Sequence, residues 1–434
     1  MNHKLFGTFV LLATLLFSPM GAFSAPANAP KASAPSPQAI ALAKNQVAVQ
    51  LGAMKLGLVK PGQSAQNLTP AQLQAALSAG TQAMTGGNLP AAQLQQATLA
   101  ALQSPISAPA LGLDPAKISP AAIVAASTQI NPAVATPAIA KAAVTASMAF
   151  TGDSKGINHP VFGPQPDTSS LPAGAGKEAI QALNAQTKSA QIQSAATAEG
   201  TVLTAALQNI NPNIKPGTTV QLAASDPNYS KIQSAIAAIS SASISGLGNF
   251  NVGSTSDLIY GKTAPNIQAL TISLVSTSQG LVSLANTANG ANPVLTAVAQ
   301  GASQAAPTVT SAISSGIAQG AYSSYAAAAT AAGQTPTSPT QFASQNSGQI
   351  ATSLNNAGIP ATPASVTAGI TAPTTNNGNQ NGQGQNGQGN TGNTGNTGNS
   401  SSGTPGGGFG GVPGLGTFGL SPGGSSPVTN TQGR

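Results

Sequence analysis

Apolar residues recur along this chain at helical rather than strand spacing. Across 37–59, Ile40, Val47, Leu51, Met54 and Leu58 share one face of a helix, and Leu42, Val49 and Leu56 fall on the opposite face. A helix that is apolar on two sides wants neighbours on both. In 227–244, Ile232, Ile236, Ile239 and Ser243 follow steps of four, three and four. In 264–289, Ile267, Leu270, Leu274, Leu281 and Leu284 form a near-heptad seam, although the alternation Leu270, Ile272, Leu274 also suits the start of a strand. The small-residue stretch 307–332 carries Gly316 and Gly320 as a GxxxG pair, a spacing that lets two helix backbones approach closely.

A start signal punctuates these stripes. A small capping residue precedes proline at Ser36-Pro37, Thr69-Pro70, Ser119-Pro120, Thr136-Pro137, Asp226-Pro227, Asn292-Pro293, Ser338-Pro339 and Thr362-Pro363. The capping oxygen accepts a backbone N–H of the first turn, and proline fills the first helical position, where its missing N–H is no loss. Alanine-rich segments follow, and glycine closes them at Gly86-Gly87, Gly290, Gly333 and Gly358. Residues 67–76 and 88–97 repeat one another locally (Asn-Leu, then Gln-Leu-Gln at the same offset), which predicts two similar helices in a hairpin. The pairs 119–129 with 136–150 and 338–357 with 362–371 predict hairpins of the same kind.

The fold class expected is therefore mainly α, an array of short alanine-rich, proline-started helices. The boundaries that follow are a signal peptide at 1–24, an Ala/Pro linker at 25–35 and an N-terminal helical region at 36–150. A polar Pro/Gly loop at 151–173 comes next, then a second helical region at 174–373. A disordered tail rich in Gly, Asn and Thr at 374–434 ends the chain. Ordering a residue costs roughly 1.5 kcal/mol, whereas a buried methyl returns about 0.8. With alanine making up much of the 40% hydrophobic content, the array is expected to pack loosely unless its helices lie very close together.

The leader sets the compartment. A basic start at Lys4, an apolar run Leu5–Phe17, a break at Pro19 and Gly21 and small residues at Ala22 and Ser24 read as a secretory signal cleaved after Ser24. No later run is apolar enough to span a bilayer. Export of a long chain with no cysteine points to a bacterial source and a periplasmic, extracellular or cell-surface location.

Composition then removes whole classes of chemistry. With Cys 0 and His 2, of which only His159 lies beyond the leader, disulfides, thiolate nucleophiles and histidine metal sites are excluded. Lys+Arg 14 against Asp+Glu 7 gives a formal net charge of +7, but the lysines are scattered, with neither the clusters nor the aromatic platforms that nucleic acid needs. Residues 263–433 carry no charged side chain. One motif suggests catalysis. Gly152-Asp153-Ser154-Lys155-Gly156 fits the G-x-S-x-G pattern of a nucleophile elbow, with His159 nearby and Asp167 beyond. Its surroundings are wrong, since an alanine-rich helix precedes it, prolines follow it and the acid comes after the histidine. Gly261-Lys262-Thr263 and Gly174-Ala175-Gly176-Lys177 lack the first glycine of a phosphate loop, having Ser256 and Leu171 there. Tyr229, Tyr260, Tyr322 and Tyr325 read as packing residues.

No catalytic, cofactor-binding or metal-ligating residue is thus expected. The function expected is a non-enzymatic exported structural or interaction protein of the cell envelope or extracellular matrix. Its partner would be an envelope, matrix or surface component, with self-association as a further expectation. The alternative is a self-assembling amyloid-like fibre driven by the uncharged 263–433 region, where no lysine guards against stacking. A secreted hydrolase using Ser154 ranks third.

Overall fold

The structure, a computed structural model, describes residues 35–87, 89–149, 177–248 and 264–372. The leader, most of the linker, the 151–173 loop with Ser154, His159 and Asp167, Tyr260 and the 374–434 tail lie outside the described residues. What is described is mainly helical. The helices are α1 (Pro37–Lys55), α2 (Pro70–Thr85), α3 (Ala91–Gln103), α4 (Pro120–Ile130), α5 (Pro137–Ala149) and α6 (Lys177–Ile210). After them come α7 (Tyr229–Gly246), α8 (Ala264–Leu281), α9 (Pro293–Ala305), α10 (Thr310–Ala331), α11 (Pro339–Asn356) and α12 (Pro363–Thr371). Two short strands, β1 (Val220–Leu222) and β2 (Val282–Leu284), pair in parallel with Val220 opposite Val282. No described helix is long and apolar enough to cross a membrane.

The cap-proline dipeptides start the helices they were expected to start, with one exception. Ser36 Oγ accepts the Ala39 N–H at 3.2 Å, Ser119 Oγ that of Ala122 at 3.2 Å, and Ser338 Oγ that of Gln341 at 3.2 Å. At α2 the box is reciprocal, because Thr69 Oγ1 accepts the Gln72 N–H at 3.3 Å while Gln72 Oε1 accepts the Thr69 N–H at 2.9 Å. Asn292 Oδ1 serves two donors at the head of α9, Val294 and Leu295. The exception is Asp226-Pro227. There the Asp226 carboxylate accepts the Asn228 N–H at 2.8 Å within a turn, and α7 begins two residues late at Tyr229. Gly87, Gly333 and Gly358 take the left-handed backbone after α2, α10 and α11, while Gly290 closes a turn before α9 instead of a helix.

Small residues pack these helices closely, not loosely. Where α1 crosses α2, a methyl on Gly52 would overlap the carbonyl of Ala76, and one on Gly80 would overlap that of Ala48. The GxxxG pair of α10 does the same work against α8. A methyl on Gly316 would lie 2.7 Å from Thr271 Cβ, and one on Gly320 would lie 2.7 Å from Val275 Cβ. Gly246 brings α7 within reach of the Lys141 carbonyl of α5, and Gly301 brings α9 onto Ala237 of α7. At such separations even alanine methyls fill the interior, which is how Ala97, Ala143, Ala195 and Ala297 come to be wholly buried.

The main core runs through both helical regions, from Val47 and Leu51 in α1 through Leu203 and Leu207 in α6 to Phe342, Leu354 and Val366 in α11 and α12. Helix α6 joins them, packing on α4 and α5 from the first region and on α7 and α8 from the second. The second face of α1 is real. Val49 and Ala53 belong to a separate cluster with Leu73, Ala76, Ile106 and Leu113. Leu58, expected on the Val47 and Leu51 face, lies past the end of α1 and packs on this cluster instead. Between the two faces, buried Gln46 clamps the backbone of Ile106 through both amide atoms, and Gln50 Oε1 accepts the Ala65 N–H at 3.0 Å. Leu42 instead packs on the main core, and Leu56 is left 48% exposed.

Two local expectations need correction. The duplicated helices α2 and α3 form no hairpin, since each packs chiefly on α1, whose two apolar faces give both a better partner than the other's small-residue surface. The near-heptad seam is also cut short. Ile267, Leu270, Leu274 and Leu281 lie on α8, but Leu284 belongs to β2, where pairing with β1 takes over. The 338–357 and 362–371 pair does pack as α11 on α12.

Glycine contacts of this kind make a sharp test. Gly80→Ala should lower stability by more than about 1–3 kcal/mol, the usual penalty of overpacking, because backbone rather than a flexible side chain must move. Gly280→Ala, where an added methyl meets nothing within 4 Å, should be neutral or stabilise by up to about 1 kcal/mol. Thermal melts followed by circular dichroism decide it, and equal melting temperatures for the two variants would contradict the close packing.

Candidate functional site

A groove of about 550 Å³ lies between α4, α6, α8 and α10. The start of α1, at Pro35 and Ile40, borders it, as does the Pro216–Gly217 turn after α6. Helix α6 contributes Thr197, Gly200, Thr201, Thr204 and Gln208, a single stripe at steps of three and four. Ser276, Thr277 and Gly280 of α8 face it, with Thr128 of α4 and Ser324 of α10 completing the wall. The groove is open because small residues line it, and none of its lining residues is charged.

Several of its hydroxyls are already committed, whereas those of Thr277, Ser323 and Ser324, also in the wall, make no hydrogen bond among the described residues. Thr128, Thr197, Thr201 and Thr204 each donate to the carbonyl four residues back in their own helix, at 2.9, 2.9, 2.8 and 2.7 Å. Ser276 donates across to the Gly320 carbonyl at 3.5 Å. These side chains therefore present oxygen lone pairs and γ-methyl groups rather than free O–H donors. Among the described lining residues there is no Asp, Glu, His, Lys or Cys side chain of the kind that serves as a general acid, general base or thiolate nucleophile. A smaller hollow of about 160 Å³ adjoins it at Ser324, lined by amides including Gln221, Gln279, Asn286 and Asn292.

Behind the groove, the residue before Gly200 is Glu199, whose side chain is 0% exposed. Neither of its carboxyl oxygens makes a hydrogen bond of good geometry, and the same holds for Ser273 Oγ of α8 close by. Burial pushes this carboxyl well above its ordinary range, and the nearby Ser273 hydroxyl offsets only part of that shift. Helices α4 and α8 bring no titratable side chain to it, and Lys141 of α5 and Lys231 of α7 are exposed. More unpaired polar groups are buried on the same helices and on α7, namely Gln191 and Ser194 on α6, Ser278 on α8, and Ser240 and Ser243 on α7. The clue in the sequence is that Glu199 sits on an apolar stripe, three or seven residues from Ile192, Ala196 and Val202.

The tyrosines behave as packing residues where they are described. Tyr322 and Tyr325 stack around Phe342 with ring centroids 5.4 and 5.0 Å away, and the Tyr322 hydroxyl donates to the Thr337 carbonyl at 3.1 Å. Tyr229 donates to the Ala285 carbonyl at 2.8 Å, pinning α7 beside β2. Among the described residues no three His, Cys, Asp or Glu side chains converge as a metal site would require.

Glu199 makes stability depend on pH with a definite sign. Its folded-state pKa lies above the unfolded value of about 4.5, so the folded state keeps its proton after the unfolded chain has lost it. Stability is therefore greatest below that value. As pH rises it falls by up to about 1.4 kcal/mol per unit, levelling off only above the raised folded-state pKa. Glu199→Gln should flatten this slope and melt at a higher temperature than the parent at pH 7. A parent melting temperature constant from pH 4 to pH 8 would contradict the assignment.

Comparison with known proteins finds no matching family model, no matching curated protein and no matching solved structure, so this site stands on its own geometry.

Proposed function

We propose that the chain is a non-enzymatic exported interaction protein of the cell envelope or extracellular matrix, with its helical body carrying a binding groove. The observation behind this reading is the groove's inert wall. The hydroxyls of Thr128, Thr197, Thr201 and Thr204 are bonded inward to helix carbonyls and the described lining is uncharged, a surface suited to retention rather than turnover. Export rests on the leader, with its basic start, apolar run and small residues before Ala25. The partner is a component of the envelope, matrix or cell surface.

The packing of the second region favours this reading over the fibre. Residues 264–372 of the uncharged segment form α8–α12, whose Leu270, Ile313, Phe342 and Leu354 sit in the main core. A cross-β fibre would have to dismantle that core before these residues could stack.

Fractionation of the source cell expressing the tagged full chain tests both halves. The protein should appear in the envelope or medium with Ala25 as its first residue, and the purified exported form should co-sediment saturably with isolated envelopes. Recovery from the cytosol with Met1 intact would overturn export. Failure to co-sediment with envelope or matrix would overturn the interaction role.

A further inference from the structure

Helical glycines in this protein divide into two kinds. Gly52, Gly80, Gly246, Gly301, Gly316 and Gly320 each leave room for a neighbouring helix, and a methyl on any of them would collide. Gly280 of α8 does not, because a methyl there would meet no atom within 4 Å, although the residue is only partly exposed. A glycine near a helix end with no packing neighbour forgoes up to about 1 kcal/mol relative to alanine. The space it leaves belongs to the groove, where Gly200 likewise lies in the wall from α6.

Building on the reading of this groove as a binding element, we infer that it takes a small, uncharged, predominantly aliphatic ligand. Size comes first, since about 550 Å³ lies in the range of small-molecule sites rather than of protein interfaces. The lining then selects against charge. With no charged residue in the wall, an ionic head group inside the groove would lose water and gain no counter-charge. The threonine γ-methyls, Ile40, Ala125, Ala205 and Leu281 supply hydrocarbon contact, and no aromatic ring is present for a sugar to stack on. Hydrogen bonding comes from the side-chain amides of Gln129 and Gln208, the hydroxyls of Thr277, Ser323 and Ser324, and the outward lone pairs of the bonded hydroxyls, all of them neutral. That suits a single small neutral polar group on an otherwise apolar molecule.

The probe is N-phenyl-1-naphthylamine, an uncharged fluorescent hydrophobe, titrated into the purified exported chain. One saturable site is expected, with 1-decanol displacing the probe at least about tenfold better than decanoate or decylammonium. Gly280→Phe and Ala327→Phe, which fill the groove from α8 and from the exposed side of α10, should each weaken probe binding at least about tenfold. Gly348→Phe on the exposed face of α11, outside the groove, should leave binding unchanged. Circular dichroism identifies any variant that fails to fold, and Ala327→Phe, exposed in the parent, carries the test if Gly280→Phe does. Three results would overturn the ligand class. These are equal binding by the folded groove variants and the parent, displacement by the charged decyl compounds as effective as that by decanol, and no probe uptake by the folded parent. Each of them would leave envelope co-sedimentation standing, so the failure of the ligand class is distinct from the failure of the interaction role.

Discussion

Two helices approach until their backbones touch only where the residue at the crossing has no side chain, and this fold depends on that constraint. Large aliphatic side chains are scarce here, so hydrophobic burial per residue is low and the interior must be made of contacts between atoms that are already small. The Gly52–Gly80 crossing of α1 and α2, Gly316 and Gly320 against α8, and Gly246 and Gly301 around α7 draw the helices in until alanine methyls reach across. The dispersion gained is small for each atom pair and grows with the number of pairs brought to contact distance. The same closeness makes the interior intolerant, because no flexible side chain is available to yield.

Close small-residue packing also shapes where polar atoms go. Serine and threonine fit between near helices as alanine and valine do, and many satisfy themselves on their own helix, as Thr98, Thr128 and Thr271 do on Leu94, Val124 and Ile267. Glu199 has no such local solution. Burial makes its carboxyl hold a proton more tightly than an exposed one, which ties the contact between α6 and α8 to pH. Where helices do not meet, the same small residues leave a trough, and the groove beside α6 arises in this way.

Much of this was readable from the sequence, for local reasons. A capping oxygen followed by proline acts within four residues, so Ser36, Thr69, Ser119, Ser338 and Thr362 announce their helices without help from the rest of the chain. The stripe Ile232, Ile236, Ile239, Ser243 likewise turned inward as its spacing required. What was not legible depended on distant partners. Helix α6 begins without a cap-proline signal and is polar on several sides, and much of its 191–210 part is buried because α4, α5, α7 and α8 pack on the helix. The pairing of α2 with α1 rather than α3 turns on Gly52 meeting Ala76, which no local pattern contains. The groove's stripe from Thr197 to Gln208 was present in the sequence, but a polar stripe on a helix ordinarily means solvent, and only the placement of α8 and α10 turns it into a wall.

The scarcity of charge reaches beyond the groove. Among the described residues one salt bridge is formed, Lys117 to Asp114 at 3.5 Å, and both of its members are exposed. Van der Waals contact and helix hydrogen bonds hold the rest, and neither is screened by dissolved ions. Moving from about 0.01 M to about 1 M salt shrinks the Debye length from about 30 Å to about 3 Å and thereby silences most surface electrostatics. This body has few charge pairs to silence, so little of its stability rests on attractions that salt can remove.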